Sequence, residues 1–320
     1  MSKTFNPPFY IRSAYAQTFL ASNKFGTQWN NPILKNSKEV ILNPVGQVRL
    51  QGFYSPQPNT KGLVILLHGW EGSVNSAYIL RTAKFLYQNG FSVFRLNFRD
   101  HGETHHLNPG IFYAALLDEV FGAVQQVARY EPALPFYVIG FSMGGNFALR
   151  IARKAEESLI PNLKHVIAIS PVLDPEKSTY AIDEFPLLRD YFRKKWTDSM
   201  RKKQALFPEL YQLYDVFSLP TIAEMTERML QRHSDYPSAS AYFRAYAVTG
   251  EALAALSTPL TVITAQDDPI IPVSDFHHLK LSSTGELLIQ PYGGHNGFLE
   301  NIFGKAWYQR KIAEILLPLG

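Results

Sequence analysis

The chain has 320 residues, 46% of them hydrophobic, enough to bury a sizeable core as one large α/β domain or one domain carrying an insertion. It has no cysteine, which excludes a thiol nucleophile, a disulfide framework and cysteine metal sites, and suits a reducing compartment. A net charge of +4 is too weak to argue for nucleic acid, and neither a signal-peptide core nor an apolar run of membrane-spanning length is seen, so a cytoplasmic location is expected.

Residues 1–60 are the least regular part, punctuated by Pro7, Pro8, Pro32, Pro44, Pro56 and Pro58. Val40 to Leu42 and Val48 to Tyr54 read as a first hairpin of edge strands. Gly62 to Leu67 is a continuous apolar run, as expected of a central parallel strand buried on both faces. It ends in His68-Gly69-Trp70-Glu71-Gly72-Ser73. A helix is expected over Asn75 to Asn89, a strand over Phe91 to Phe98, and a long amphipathic helix over Ile111 to Tyr130.

A short apolar run then ends in Gly140-Phe141-Ser142-Met143-Gly144, with a helical segment, Asn146 to Ala155, directly after it. Strands follow over His165 to Ser170, Leu260 to Ala265 and Glu286 to Gln290, and a helix over Ala306 to Leu317. Strand and helix alternate on both sides of residues 172–250, which are helical in pattern and rich in aromatics. The expectation is a mostly parallel, doubly wound α/β sheet. Residues 1–171, with the 1–60 extension, and 251–320 would form the core, and 172–250 an inserted helical cap. In such sheets the site lies at the carboxyl ends of the strands.

The chemistry starts at Ser142. A serine between a strand and a helix, flanked by glycines that let the turn close, is a nucleophile elbow, and the helix start favours developing negative charge. A serine hydroxyl is a weak nucleophile and needs a base. His295 is the candidate, in the glycine-rich loop Gly293-Gly294-His295-Asn296-Gly297 after the last expected strand. The orienting acid lies in Asp267-Asp268-Pro269. Neighbouring side chains in an extended segment point opposite ways, so one of the two aspartates faces His295. Pro269 begins the loop and favours Asp268, leaving Asp267 to cap the next helix or bind backbone amides. The oxyanion hole would be the backbone N–H groups of Met143 and Trp70, whose side chains would line the acyl pocket.

Two other clusters stand out. Asp100, His101, Glu103, His105 and His106 are metal-ligand types but match no zinc spacing, so a structural or pocket-rim role is expected. Arg189, Arg193, Lys194, Lys195, Arg201, Lys202 and Lys203 form a basic run that reads as a solvated helix face. A weak membrane-surface contact through the cap is its sharper alternative.

These motifs resemble the α/β-hydrolase superfamily, and more narrowly its YheT-like branch of esterase-like bacterial proteins and eukaryotic lipid-acting relatives. His68 to Ser73 is similar to the family's oxyanion loop, Asn97-Phe98-Arg99 to its Phe-Arg-Gly segment, and Gly140 to Asn146 to its extended elbow. Asp267-Asp268-Pro269 and Gly293 to Phe298 resemble its acid and base loops. Ala14-Tyr15-Ala16-Gln17-Thr18 resembles its His-Leu-Gln-Thr entry, with tyrosine for the histidine. In relatives the aspartate before the proline aligns with the triad acid, which implies Asp268. The resemblance implies hydrolysis of carboxylic esters with an acyl or lipid-like chain, with small-molecule ester substrates and no metal or organic cofactor. An acyltransferase, a thioesterase or a catalytically silent binding scaffold are the alternatives. The match is loosest in the cap, which sets the substrate.

Overall fold

The computed structural model describes residues 4–317. Helices α1 (Ala14–Ser22) and α2 (Pro32–Asn36) come first, then strands β1 (Lys38–Leu42) and β2 (Leu50–Ser55). From β3 (Leu63–Leu67) the elements alternate: α3 (Ala77–Gln88), β4 (Ser92–Leu96), α4 (Leu117–Ala128), β5 (Phe136–Phe141), α5 (Met143–Glu157) and β6 (Leu163–Ile169). Five helices follow with no strand between them: α6 (Pro175–Glu184), α7 (Pro186–Leu206), α8 (Tyr214–Phe217), α9 (Ile222–His233) and α10 (Ala239–Tyr246). Strand β7 (Leu260–Ala265), α11 (Ser274–His277), β8 (Gly285–Gln290) and α12 (Trp307–Leu316) close the chain.

The eight strands form one sheet in the order β1-β2-β4-β3-β5-β6-β7-β8. From β4 through β8 every pairing is parallel, while β2 joins β1 and β4 antiparallel. The hairpin is therefore only half an edge. β1 borders solvent, whereas β2 lies inside the sheet, paired on both sides.

Strands β3, β4, β5 and β7 are buried at every residue; β3 is an unbroken apolar run, while β4 and β7 keep apolar majorities with Ser92, Arg95, Thr261 and Thr264 buried among them. Each buried aliphatic side chain adds roughly 1.5–3 kcal/mol relative to exposure, so these strands supply much of the core. One core layer packs α4 and α5 on one face of the sheet and continues into the five-helix segment, and a second packs α3, α12 and Phe5, Ile11 and Ile33 on the other face. The chain runs from β3 to β4 on one side and then to β5 on the other. That reversal opens a crevice at the carboxyl ends of β3, β4 and β5.

Two elements differ from expectation. The helix expected from Ile111 begins only at Leu117. The N–H of Phe112 donates to Asp100 Oδ2 and that of Ala114 to the Tyr242 hydroxyl, each at 2.9 Å, so these donors are held by tertiary partners and the segment turns into the crevice instead of coiling. The irregular amino-terminal stretch contains α1, whose residues Gln17, Thr18 and Ala21 are buried.

Candidate active site

Strand β5 ends at Phe141 and α5 begins at Met143, so Ser142 alone makes the turn. Its backbone sits at φ 55°, ψ −119°, a conformation that costs a non-glycine residue roughly 1–3 kcal/mol. Hydrogen bonds hold it there. The Ser142 N–H donates to the Ile169 carbonyl at 2.9 Å, and its own carbonyl accepts from Asn146 N–H at 3.0 Å and Val172 N–H at 3.3 Å. The flanking glycines are steric requirements: a Cβ on Gly140 would strike the Gly144 carbonyl, and one on Gly144 the carbonyls of Leu67 and His68.

His295 lies in the loop after β8, with Nε2 at 2.9 Å from Ser142 Oγ. Its Nδ1 lies 2.9 Å from Asp268 Oδ2 and 3.2 Å from Oδ1. An ionised carboxylate only accepts, so the proton is on Nδ1 and Nε2 is free to accept from the serine hydroxyl. The Asp268 side chain is fully buried, and its Oδ1 also accepts the N–H groups of Ile270 at 2.9 Å and Ile271 at 3.0 Å. Asp267 points the other way and accepts the Gly294 N–H at 2.9 Å. Burial pushes its carboxyl pKa up, and that amide opposes the shift. The expected extended segment is instead a turn over Gln266 and Asp267, closed by the Asp268 N–H to the Ala265 carbonyl at 3.4 Å, and it places Asp268 against the imidazole and Asp267 against the loop that carries it.

The loop after β3 is held as firmly. His68 donates from Nδ1 to the Gly69 carbonyl at 2.8 Å and accepts the Phe98 N–H on Nε2 at 3.2 Å. Burial drives its pKa well below the usual imidazole range, which keeps the neutral tautomer these bonds need. The Gly69 N–H donates to the Tyr78 hydroxyl at 2.9 Å, and the turn closes through Gly72 N–H to Gly69 O at 3.0 Å. Among the described residues the backbone N–H groups of Trp70 and Met143 have no hydrogen-bond acceptor. Both residues border the same cavity as Ser142 and His295.

That cavity is about 400 Å³, with Ile182, Met229, Phe243 and Tyr246 of α6, α9 and α10 above the serine. The Trp70 ring stacks on Phe192 of α7 with centroids 5.4 Å apart and 8° between planes, and meets Trp196 edge-on at 5.4 Å. Helix α7 is fastened to the core below it. Lys203, expected on a solvated face, is instead buried, with Nζ donating to Asp100 Oδ1 at 2.8 Å and to the carbonyls of Asn108 at 2.5 Å and His105 at 3.3 Å. Burial raises the Asp100 pKa to about 6 against the opposing pull of Lys203, and lowers that of Lys203. Its neighbours are likewise engaged: Glu103 with Lys202 at 2.9 Å, His105 Nε2 with Ser199 Oγ at 2.8 Å, and His101 Nδ1 with the Arg99 carbonyl at 2.7 Å. Among the described residues no group of three such side chains is arranged to hold a metal ion.

Sequence motifs for the site did not bring Thr18 and Gln17 forward. The Thr18 hydroxyl donates to the Ala14 carbonyl at 2.8 Å and accepts the His295 N–H at 2.9 Å. Gln17 is fully buried, donating to the carbonyls of Ile11 at 2.8 Å and Leu299 at 3.2 Å and accepting the Leu299 N–H at 2.7 Å. Together they clip the loop carrying His295 to α1 from both ends. The available signal was the Gln17-Thr18 pair within the entry segment that resembles the family.

The family model described as serine aminopeptidase, S33, matches residues 58–300. Phospholipase ABHD3 of Mus musculus is 23% identical, the match covering 95% of this chain and 75% of that protein. The monoacylglycerol lipase of Saccharomyces cerevisiae is 22% identical over 84% of this chain and 63% of its own. Among solved structures, the Pyrococcus furiosus esterase Pf2001 aligns with a TM-score of 0.56 at 19% identity, covering 90% of this chain and 93% of that one. With a matching family model across most of its length and an α/β-hydrolase sheet carrying a serine at the strand–helix elbow, the chain belongs to the serine aminopeptidase S33 family of the α/β-hydrolase superfamily.

Proposed function

We propose that this hydrolase cleaves carboxylic esters that carry an apolar acyl group, with residues 172–250 acting as a cap over a core formed by the flanking segments. The observation that carries this reading is the unbroken hydrogen-bond relay Asp268–His295–Ser142 bordering a cavity whose wall includes the apolar side chains of Ile182, Met229 and Phe243. Ser142 Oγ attacks the ester carbonyl while His295 Nε2 takes its proton. Asp268 holds the ring and balances the imidazolium. The tetrahedral oxyanion is received by the N–H groups of Trp70 and Met143. His295 then protonates the departing alkoxide, leaving an acyl-enzyme. Water, deprotonated by the same histidine, attacks the acyl-enzyme and releases the acid. No metal or organic cofactor is needed for these steps.

The relatives named phospholipase and monoacylglycerol lipase support a lipid-like acyl chain. The side chains of Ile182, Met229, Phe243 and Tyr246 support an apolar acyl site of limited length. The test is hydrolysis of p-nitrophenyl esters from acetate to palmitate, beside an alanine p-nitroanilide. Ester turnover with an optimum at intermediate chain length, reduced at least about 10⁴-fold by Ser142→Ala, is expected. Anilide cleavage without ester cleavage would replace the ester reading with a peptidase one. Inertness toward every substrate would favour a binding scaffold.

A further inference from the structure

The amino-terminal segment precedes the stretch that the family model matches, and its chemistry is unlike the rest of the chain. Between Thr4 and Lys38 there are four cationic side chains, Arg12, Lys24, Lys35 and Lys38, and no Asp or Glu. The same stretch has seven aromatic residues, of which Phe5 is buried and the other six are exposed. Single exposed aromatics need no explanation, but a cluster does.

The cluster has an order. On α1, Tyr15 and Phe19 are one turn apart, while Gln17, Thr18 and Ala21 take the buried face. Beyond the helix, Phe25 and Trp29 meet edge-on at 4.9 Å and are 62% and 66% exposed. Facing α1, the start of α7 exposes Leu187 and Tyr191, again one turn apart. Between the two helices lies a cleft of about 230 Å³, lined by Phe19, Leu188 and Tyr191 and reaching His295. Ser22 borders both this cleft and the main cavity.

We propose that this face, formed by α1, the Phe25–Trp29 turn and the start of α7, docks on an anionic phospholipid surface, with the cleft as the route by which an acyl chain passes from the lipid to the cavity. Three observations favour that occupant. The amino-terminal part is cationic with no acidic side chain before Glu39, and on α7 the exposed Asp190 is paired with Arg189 at 3.2 Å and outnumbered by Arg193, Lys194 and Lys195, so the face complements anionic headgroups, whereas a second copy of it would oppose like charges. Its apolar side chains are mainly Trp, Tyr and Phe, which partition to the headgroup boundary. The patch is continuous with the opening that reaches the relay. Helix α1 has nine residues, too few to bind as a free amphipathic helix, so the folded surface does the docking. The route for the acyl chain rests on the ester reading above, but docking does not.

The test therefore measures binding without turnover. Full-length Ser142→Ala protein is co-sedimented with vesicles of phosphatidylcholine, alone or mixed with phosphatidylglycerol. Binding to the mixed vesicles, falling with added salt, is expected, and adding Phe25→Ser with Trp29→Ser should weaken it by roughly tenfold or more. In the Ser142 parent, the Phe25→Ser/Trp29→Ser variant should keep its hydrolysis of a soluble short-chain ester and lose that of an ester presented in vesicles. If that variant fails to fold, Lys24→Glu should weaken binding to the mixed vesicles selectively. Absent vesicle binding, or binding unchanged by both sets of substitutions, overturns the proposal. So does light scattering that finds a dimer broken by the Phe25/Trp29 change, because the patch is then a self-interface.

Discussion

Lys203→Met tests whether α7 is anchored by a buried charge pair. The side chains of Lys203 and Asp100 are 1% and 6% exposed, and their ionic atoms are 2.8 Å apart. Methionine fills similar space but removes the donor from Asp100 and from the carbonyls of His105 and Asn108. Breaking a buried pair by deleting one partner costs about 3–5 kcal/mol, because the other charge remains uncompensated. A lysine on a solvated helix face would cost within about 0.5 kcal/mol. Urea unfolding of the full chain near pH 7 separates the two cases. A loss under about 1 kcal/mol would refute the anchoring argument.

The pH dependence gives a second check. Burial already raises the Asp100 pKa to about 6 while Lys203 pulls it down, so without Lys203 the carboxyl rises further. A group whose folded-state pKa is raised contributes stability at low pH and loses it as pH climbs through that pKa. The penalty of Lys203→Met should therefore shrink on moving from about pH 7 to about pH 5. Asp100→Asn in the same chain should recover part of the loss, since no buried charge is then left alone.

Three further outcomes follow from the site geometry. Asp268→Asn should lower kcat by about 10³–10⁴ with little change in KM, whereas Asp267→Asn, whose amide oxygen can still accept the Gly294 N–H, should cost less than about tenfold; equal losses would undo their division of roles. Thr18→Val orphans the buried His295 N–H and should cost about 1–3 kcal/mol of stability with a fall in kcat, and Thr18→Ser should restore both. His101 and His105 are held neutral by burial with pKa values lowered to about 4, and burial likewise holds His68 well below the usual imidazole range. Their contribution is complete above the unfolded value of about 6.5 and is lost as pH falls toward about 4, at up to roughly 1.4 kcal/mol per pH unit for each, partly offset by Asp100. Urea midpoints that stay level across that interval would contradict the burial argument.

The parts legible in the sequence were those where one local rule dominates. A strand buried on both faces leaves a solid apolar run, so Leu63 to Leu67 announces β3. The elbow needs glycines at fixed offsets from the serine, so Gly140 and Gly144 announce it. What stayed hidden was decided by distant partners. Residues 111–116 have helical periodicity, yet the N–H groups of Phe112 and Ala114 bond to Asp100 and Tyr242 and the helix starts only at Leu117. Lys203 has the composition of a surface lysine in a run of surface lysines, and only the fold reveals the carboxylate waiting beneath it. Local pattern narrowed the candidate acid to two adjacent residues and, through Pro269, favoured Asp268, but the turn over Gln266 and Asp267 that sends the two carboxylates apart was not legible.

The least legible segment supports the most legible motif. Ser142 and His295 are 153 residues apart, and the histidine is fastened through its own backbone to Thr18, 277 residues earlier. A glycine-rich loop can reach the serine because its backbone is free, and for the same reason it cannot fix the ring unaided. Gly293 at φ 154° and Gly294 at φ 52° give that freedom, and Asp267, Thr18 and Gln17 remove it again. Helix α1 therefore has two faces with different work: the buried one holds His295 in line, and the exposed one carries Phe19 on the cleft and Tyr15 stacked on Phe185. Any load on the outer face is transmitted to His295 through one hydrogen bond and one buried amide side chain. Substitutions on that face must accordingly be judged against a soluble ester. A change in kcat on such a substrate reports displacement of α1, while a change confined to vesicle-presented ester reports docking.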